Sequence, residues 1–148
     1  MKDKFFIDTN IFVYSFDNTN PFKKEKAQSI IHRAVDTNQG FISIQVIQEF
    51  VNVALKKFVT PMKKSDLNDY MHEVLFPLCN VFPGFDLLEK SVEIFHRYKY
   101  SFYDSMIISA ALFSGATILL SEDLKNNQKI EGITILNPFD QKSIKAYL

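Results

Sequence analysis

Four short runs built almost wholly of apolar residues, FFI, FISI, TILL and ITIL, punctuate a chain whose intervening segments repeat with helical period. Such runs are too short for helices, and their near-continuous hydrophobicity suits strands buried on both faces. The first lies within KFFID at 4–8. Asn20-Pro21 then opens a helix, with Pro in the first helical position and Ala27, Ile30, Ile31, Ala34 and Val35 recurring on one face. Gly40 follows its expected end, and FISI at 41–44 forms the second strand. The next helix occupies 45–58, apolar at Val46, Ile47, Phe50, Val51, Ala54, Leu55 and Phe58, and Pro61 stops it. Ser65 is the expected cap of a third helix, NVF at 80–82 a strand, and Pro83-Gly84 the turn into a helix over 86–99. Another helix spans 102–113, closed by Gly115, before strands at 117–120 and 133–136.

Strands alternating with helices specify a parallel sheet covered on both faces. The expectation is one α/β domain over residues 1–148, three layers deep, with about four to five short parallel strands. The helix opened by Ser65 and the helix over 86–99 are placed to form a projecting hairpin.

Lys+Arg and Asp+Glu both number 17, so net charge does not mark the chain as a polyanion binder. Its basic clusters (Lys23, Lys24 and Lys26; Lys56 and Lys57; Lys63 and Lys64; His96, Arg97 and Lys99) read as solvated faces when taken singly. No apolar run approaches the ~20 residues that span a bilayer, and the N-terminus lacks the apolar core of a signal peptide. No membrane association is expected. Cys79 is the single cysteine, which excludes an internal disulfide and argues against a thiolate zinc site. A cytoplasmic, reducing setting is expected.

The informative residues are carboxylates that stand where apolar residues are due. Asp8 ends the first strand, where it can cap a helix or stand at the ligand-binding edge of an open α/β sheet. Glu49 shares a helix side with Val46 and Val53, although the polar edge of that helix also accommodates a surface Glu. Asp104 opens a helix with Ile107, Ile108 and Ala111 on its face. Ser101 is the candidate cap there, with Asp104 favourably near the helix dipole. Glu122-Asp123 repeats the opening pattern, acids at the end of an apolar strand. Acids brought together at one sheet edge repel one another unless a cation intervenes, and hard divalent ions such as Mg²⁺ or Mn²⁺ prefer oxygen ligands. The histidines His32, His72 and His96 show no metal-binding spacing. No GxSxG, GxGxxG or phosphate-loop motif is present, so no nucleotide cofactor is expected.

Four stretches, FIDTNIFVY, QVIQEFVNV, SFYDSMIISAAL and LLSEDL…ITILNPF, resemble in order the motifs of PIN-domain ribonucleases, and among these the VapC toxins of toxin–antitoxin systems. The resemblance implies a metal site built from Asp8, Glu49, Asp104 and Asp123, with Glu122 as an alternative fourth acid. It implies supporting roles for Asn10 and Ser121, which match polar positions that hold metal-bound water. The implied activity is Mg²⁺- or Mn²⁺-dependent hydrolysis of RNA phosphodiester bonds, leaving 5′-phosphate and 3′-hydroxyl ends. The implied partners are an RNA substrate, a cognate antitoxin and a second copy of the chain. A stand-alone PIN nuclease of RNA processing or decay shares the same site. A non-catalytic module whose acids bind a basic protein is the third reading.

Overall fold

Phe5, Phe6 and Ile7 form β1 (Phe5–Ile7), and all three are fully buried, as a strand covered on both faces requires. A computed structural model describes residues 3–140. In chain order β1 is followed by α1 (Thr9–Tyr14), α2 (Pro21–Thr37), β2 (Gly40–Ser43) and α3 (Ile44–Lys56). Next come α4 (Lys64–Tyr70), a π-helical turn (Met71–Leu75), α5 (Phe76–Leu78) and β3 (Cys79–Val81). The last elements are α6 (Phe85–Tyr98), α7 (Phe102–Phe113), β4 (Ile118–Leu120), β5 (Lys129–Ile130) and β6 (Ile133–Leu136).

These strands make one sheet in the order β3-β2-β1-β4-β6-β5, parallel except for the antiparallel β5–β6 pair. The α/β architecture with a central, mostly parallel sheet therefore holds, with six strands in place of four to five. The addition is β5, whose two residues carry no periodicity to read. The crossovers move outward from β1 through β2 to β3, then return across the sheet to β4. That reversal puts the carboxyl ends of β1 and β4 side by side at a switch point, where sheets of this kind leave a crevice. Phe5, Phe6 and Ile7 pair with Ile118, Leu119 and Leu120 in register, which brings Asp8 beside Ser121.

The caps place the surrounding helices. Asn20 accepts from the Lys23 backbone N–H to start α2, Ser43 caps α3, and Ser101 accepts from the Asp104 N–H at 3.1 Å to start α7. Ser65 does not cap α4. That helix begins two residues earlier, at Lys64 behind Lys63, which makes no side-chain cap bond. The projecting hairpin is also absent: β3 separates the two helices by pairing with β2, and α6 packs instead along α7. Between them Ser91 and Ser109 are fully buried and share a hydrogen bond of 3.2 Å. Among the described residues no helix is long and apolar enough to cross a membrane.

Candidate active site

Asp8 turns out to serve both positions open to it. It is the residue before α1, in extended conformation, and its Oδ1 accepts from the Thr9 backbone N–H at 2.7 Å. It also follows β1 directly, where its own N–H donates to the Leu120 carbonyl at 3.0 Å. Ser121, at the end of β4, donates from Oγ to Asp8 Oδ2 at 2.7 Å. Asp8 is only 8% exposed, and burial pushes its carboxyl up to about 6. The bonds from Ser121 and Thr9 pull it back down, while the charges of Glu49 and Asp123 push it up again.

Glu49 reaches the same cleft from α3. Thr9 donates from Oγ1 to Glu49 Oε1 at 2.5 Å, so one threonine bridges the helix that starts after β1 and the helix that starts after β2. Gln45, one turn earlier on α3, donates to Glu49 Oε2 at 3.3 Å and to the Tyr103 carbonyl at 3.1 Å. Asp104 approaches from the first turn of α7, and Asp123 from the loop after β4. The carboxylates of Asp104 and Asp123 accept no hydrogen bond among the described residues.

Asp8, Glu49, Asp104, Glu122 and Asp123 all line one cleft of about 420 Å³, together with Asn10, Tyr14 and apolar walls that include Val13 and Val53. Ser121 sits behind Asp8, fully buried. Glu122 differs from the other acids. Tyr14 donates to its Oε1 at 2.5 Å, and the Lys23 ammonium forms an ion pair with its Oε2. Lys23 lies over the rings of Tyr14 and Phe139, at 4.7 and 5.3 Å from their centroids. Glu122 thus already has a counter-charge, whereas among the described residues no lysine or arginine lines the cleft beside the other four acids.

The cleft is compatible with a hard cation in its chemistry. It offers carboxylate oxygens, and the Asn10 side-chain amide is buried at its wall with neither atom paired among the described residues. Among the described residues no three acids or histidines are gathered closely enough, as they stand, to hold one ion. Several of these contacts lie beyond the reach of sequence patterns. Gln45 is recoverable as a polar residue one turn before Glu49 on the same helix face, and Thr9 as the neighbour of Asp8. Tyr14 and Lys23 leave no signal, because their partner Glu122 lies 108 and 99 residues away.

The sequence matches the PIN domain family model over residues 5–129. The chain belongs to the PIN-domain family. Its PIN fold is similar to that of a toxin–antitoxin complex from Klebsiella pneumoniae, at 21% identity over 90% of this chain and 96% of the other, with a TM-score of 0.65. It is similar to VapBC2 from Rickettsia felis bound to a DNA fragment from its promoter, at 16% identity, 88% and 96% coverage and a TM-score of 0.63. FitAcB from Neisseria gonorrhoeae gives 14% identity, 92% and 99% coverage and a TM-score of 0.65. At these identities the likeness is one of fold. A comparison with curated proteins gives no significant match.

Proposed function

We propose that this PIN domain is a divalent-metal-dependent endoribonuclease and the toxin of a toxin–antitoxin pair. PIN domains are generally nucleases that use divalent metals, and the observation that carries the reading here is the shared cleft of Asp8, Glu49, Asp104 and Asp123. Four acids with no opposing lysine or arginine among the described residues of the cleft call for a cation. When bound, Mg²⁺ or Mn²⁺ would supply a Lewis acid there, activating water and offsetting charge on the phosphate. The four acids would hold it directly or through water, and the Asn10 amide and Ser121 hydroxyl would support that arrangement. Thr9 and Gln45 fix the Glu49 carboxylate, and Ser121 and the Thr9 N–H fix that of Asp8. Asp104 and Asp123 accept no hydrogen bond among the described residues, so either would be open to take the proton from the attacking water. Glu122, neutralised by Lys23, stays outside the metal site.

The toxin role is supported by the VapC-like motifs and by fold relatives that include a toxin–antitoxin complex. A cognate antitoxin would cover the cleft with Arg or Lys side chains that pair with the free carboxylates. A homodimer is proposed as well, through the exposed face of α6. A cytoplasmic setting is proposed from the lone cysteine. Purified chain, free of antitoxin, should cut single-stranded RNA with Mg²⁺ or Mn²⁺ and stop with chelator. Asp8→Asn should reduce cutting by roughly a thousandfold or more, the scale on which electrostatic transition-state contacts act. Intact RNA in a sensitive assay with both metals would remove the reading. Full activity in Asp8→Asn would remove Asp8 from the site.

A further inference from the structure

A second cleft of about 710 Å³ adjoins the acidic one, and the two share Val13 and Val53 as common walls. Val13 and Val53 thus stand between the carboxylates and the segment after α3. The chemistry of the second cleft is different. Phe16 and Phe58 line it, their rings tilted by 37° with centroids 5.6 Å apart, and Phe16 is 37% exposed. Val59 beside them is 98% exposed. Asp17 also lines the cleft, and its Oδ1 accepts from both the N–H and the hydroxyl of Thr19, at 2.9 and 2.6 Å. Its Oδ2 accepts no hydrogen bond among the described residues. Lys57, just past the end of α3, lines the same cleft and makes no ion pair or side-chain hydrogen bond among the described residues.

An apolar ring surface, a free carboxylate oxygen and an unpaired ammonium match the three parts of a nucleotide. The ring surface takes the flat face of a base. The carboxylate oxygen accepts from an exocyclic amino group, as acids do from cytosine N4. The ammonium meets a backbone phosphate. We propose that this second cleft is the subsite for the nucleotide next to the scissile phosphate, and that Asp17 selects there for a base carrying an amino group. The assignment rests on the nuclease reading above and names a specificity determinant for it. Lys57 anchors the strand and Asp17 reads the base, while the four cleft acids remain the reacting site.

The test uses short single-stranded RNAs in which the base on either side of one cut is varied. Lys57→Ala should raise KM about fivefold, leave kcat within about twofold, and reduce the salt slope of log(kcat/KM) by about 0.7, the value for one phosphate contact on a single strand. Asp17→Asn keeps an oxygen for Thr19 but replaces the free acceptor with a donor. It should shift the preference at that position from amino bases toward uracil, with an unchanged melting temperature. In parallel, binding of a fluorescent RNA is measured for the Asp8→Asn chain with and without Lys57→Ala. Wild-type RNA binding and base preference in both variants overturn the subsite. So does a loss confined to the binding of a purified protein partner, with RNA kinetics intact. RNA binding that depends on Lys57 but is never followed by cutting overturns the nuclease reading and supports this cleft as a site that binds RNA.

Discussion

Asp8 carries opposed demands at the scale of one residue. Its burial favours the neutral carboxyl, while the bonds from Ser121 and the Thr9 N–H favour the anion, and burial wins by enough to hold it at about 6. An acid raised in the folded state stabilises the metal-free protein most below its unfolded pKa, near 3.8, and loses that contribution as pH climbs through about 6. The loss is on the order of 3 kcal/mol. Asp8→Asn cannot ionise, so its melting temperature in chelator, relative to wild type, should increase from pH 4 to pH 6 and level off above. A difference that does not change across that range would mean Asp8 ionises normally. Divalent-ion affinity of the wild type should fall below pH 6 for the same reason, since the proton and the metal compete for one carboxylate. Glu122 and Asp123 give the second residue-level prediction. Asp123→Asn should weaken metal binding and cutting together. Glu122→Gln should keep metal affinity and lose about 1 kcal/mol or less of stability, because its ion pair with Lys23 is partly solvated. Calorimetric metal titration of the two variants separates them, and the reverse ranking would make Glu122 the fourth ligand.

The elements show which parts of the fold local chemistry dictates. Gly40 follows α2, but the left-handed position that ends the helix belongs to Asn38, with φ 57°. Gly40 is small for another reason. A Cβ there would lie 2.3 Å from Ala34 Cβ and 2.9 Å from Ala34 Cα, at the closest approach of α2 to β2. Gly40→Ala must therefore push helix from sheet, and a cost of about 1–3 kcal/mol is expected in denaturant unfolding. An unchanged midpoint would show that α2 yields freely. The strands β1, β2, β4 and β6 and the helices around them are legible in the sequence, because apolar runs and helical spacing act within each segment. Asn20 and Ser101 are legible caps for the same reason. The short α1 and β5, the π-helical turn before Pro77 and the Gly40 contact are not, since each depends on what packs against it. The carboxylates followed this division. Asp8, Glu49, Asp104 and Asp123 could be named from motif resemblance, but the engagement of Glu122 by Tyr14 and Lys23 exists only once α1, α2 and the loop after β4 have met.

At the scale of the whole molecule, the sheet sets where acids converge and the outermost helices set what faces remain open. The switch between β1 and β4 gathers four segments at one cleft, leaving α6 at a distance from it. One face of α6 is buried through Leu87, Ser91 and Ile94. The other presents Phe85, Leu88, Val92 and Phe95, exposed by 87, 40, 49 and 41%. Their spacing of three, four and three residues makes a continuous stripe about 15 Å long at the helical rise of 1.5 Å per residue. Phe82, 69% exposed, extends it. Charge along the helix is polar in sign: Asp86 lies in the first turn, His96 and Arg97 in the last. Two copies of α6 packed antiparallel about a two-fold axis would set Phe85 opposite Phe95 and Leu88 opposite Val92. This self-complementarity is what a symmetric dimer interface requires. Light scattering across a concentration series should give a dimer that dissociates no more weakly than the micromolar range. Leu88→Glu and Val92→Glu place a carboxylate in the seam on the solvent face, where neither disturbs the buried side of α6. Each should yield a folded monomer whose far-ultraviolet dichroism matches wild type and whose Asp8 cleft still binds divalent metal. A wild type that remains monomeric at high concentration, or variants that stay dimeric, would assign the stripe to a different occupant.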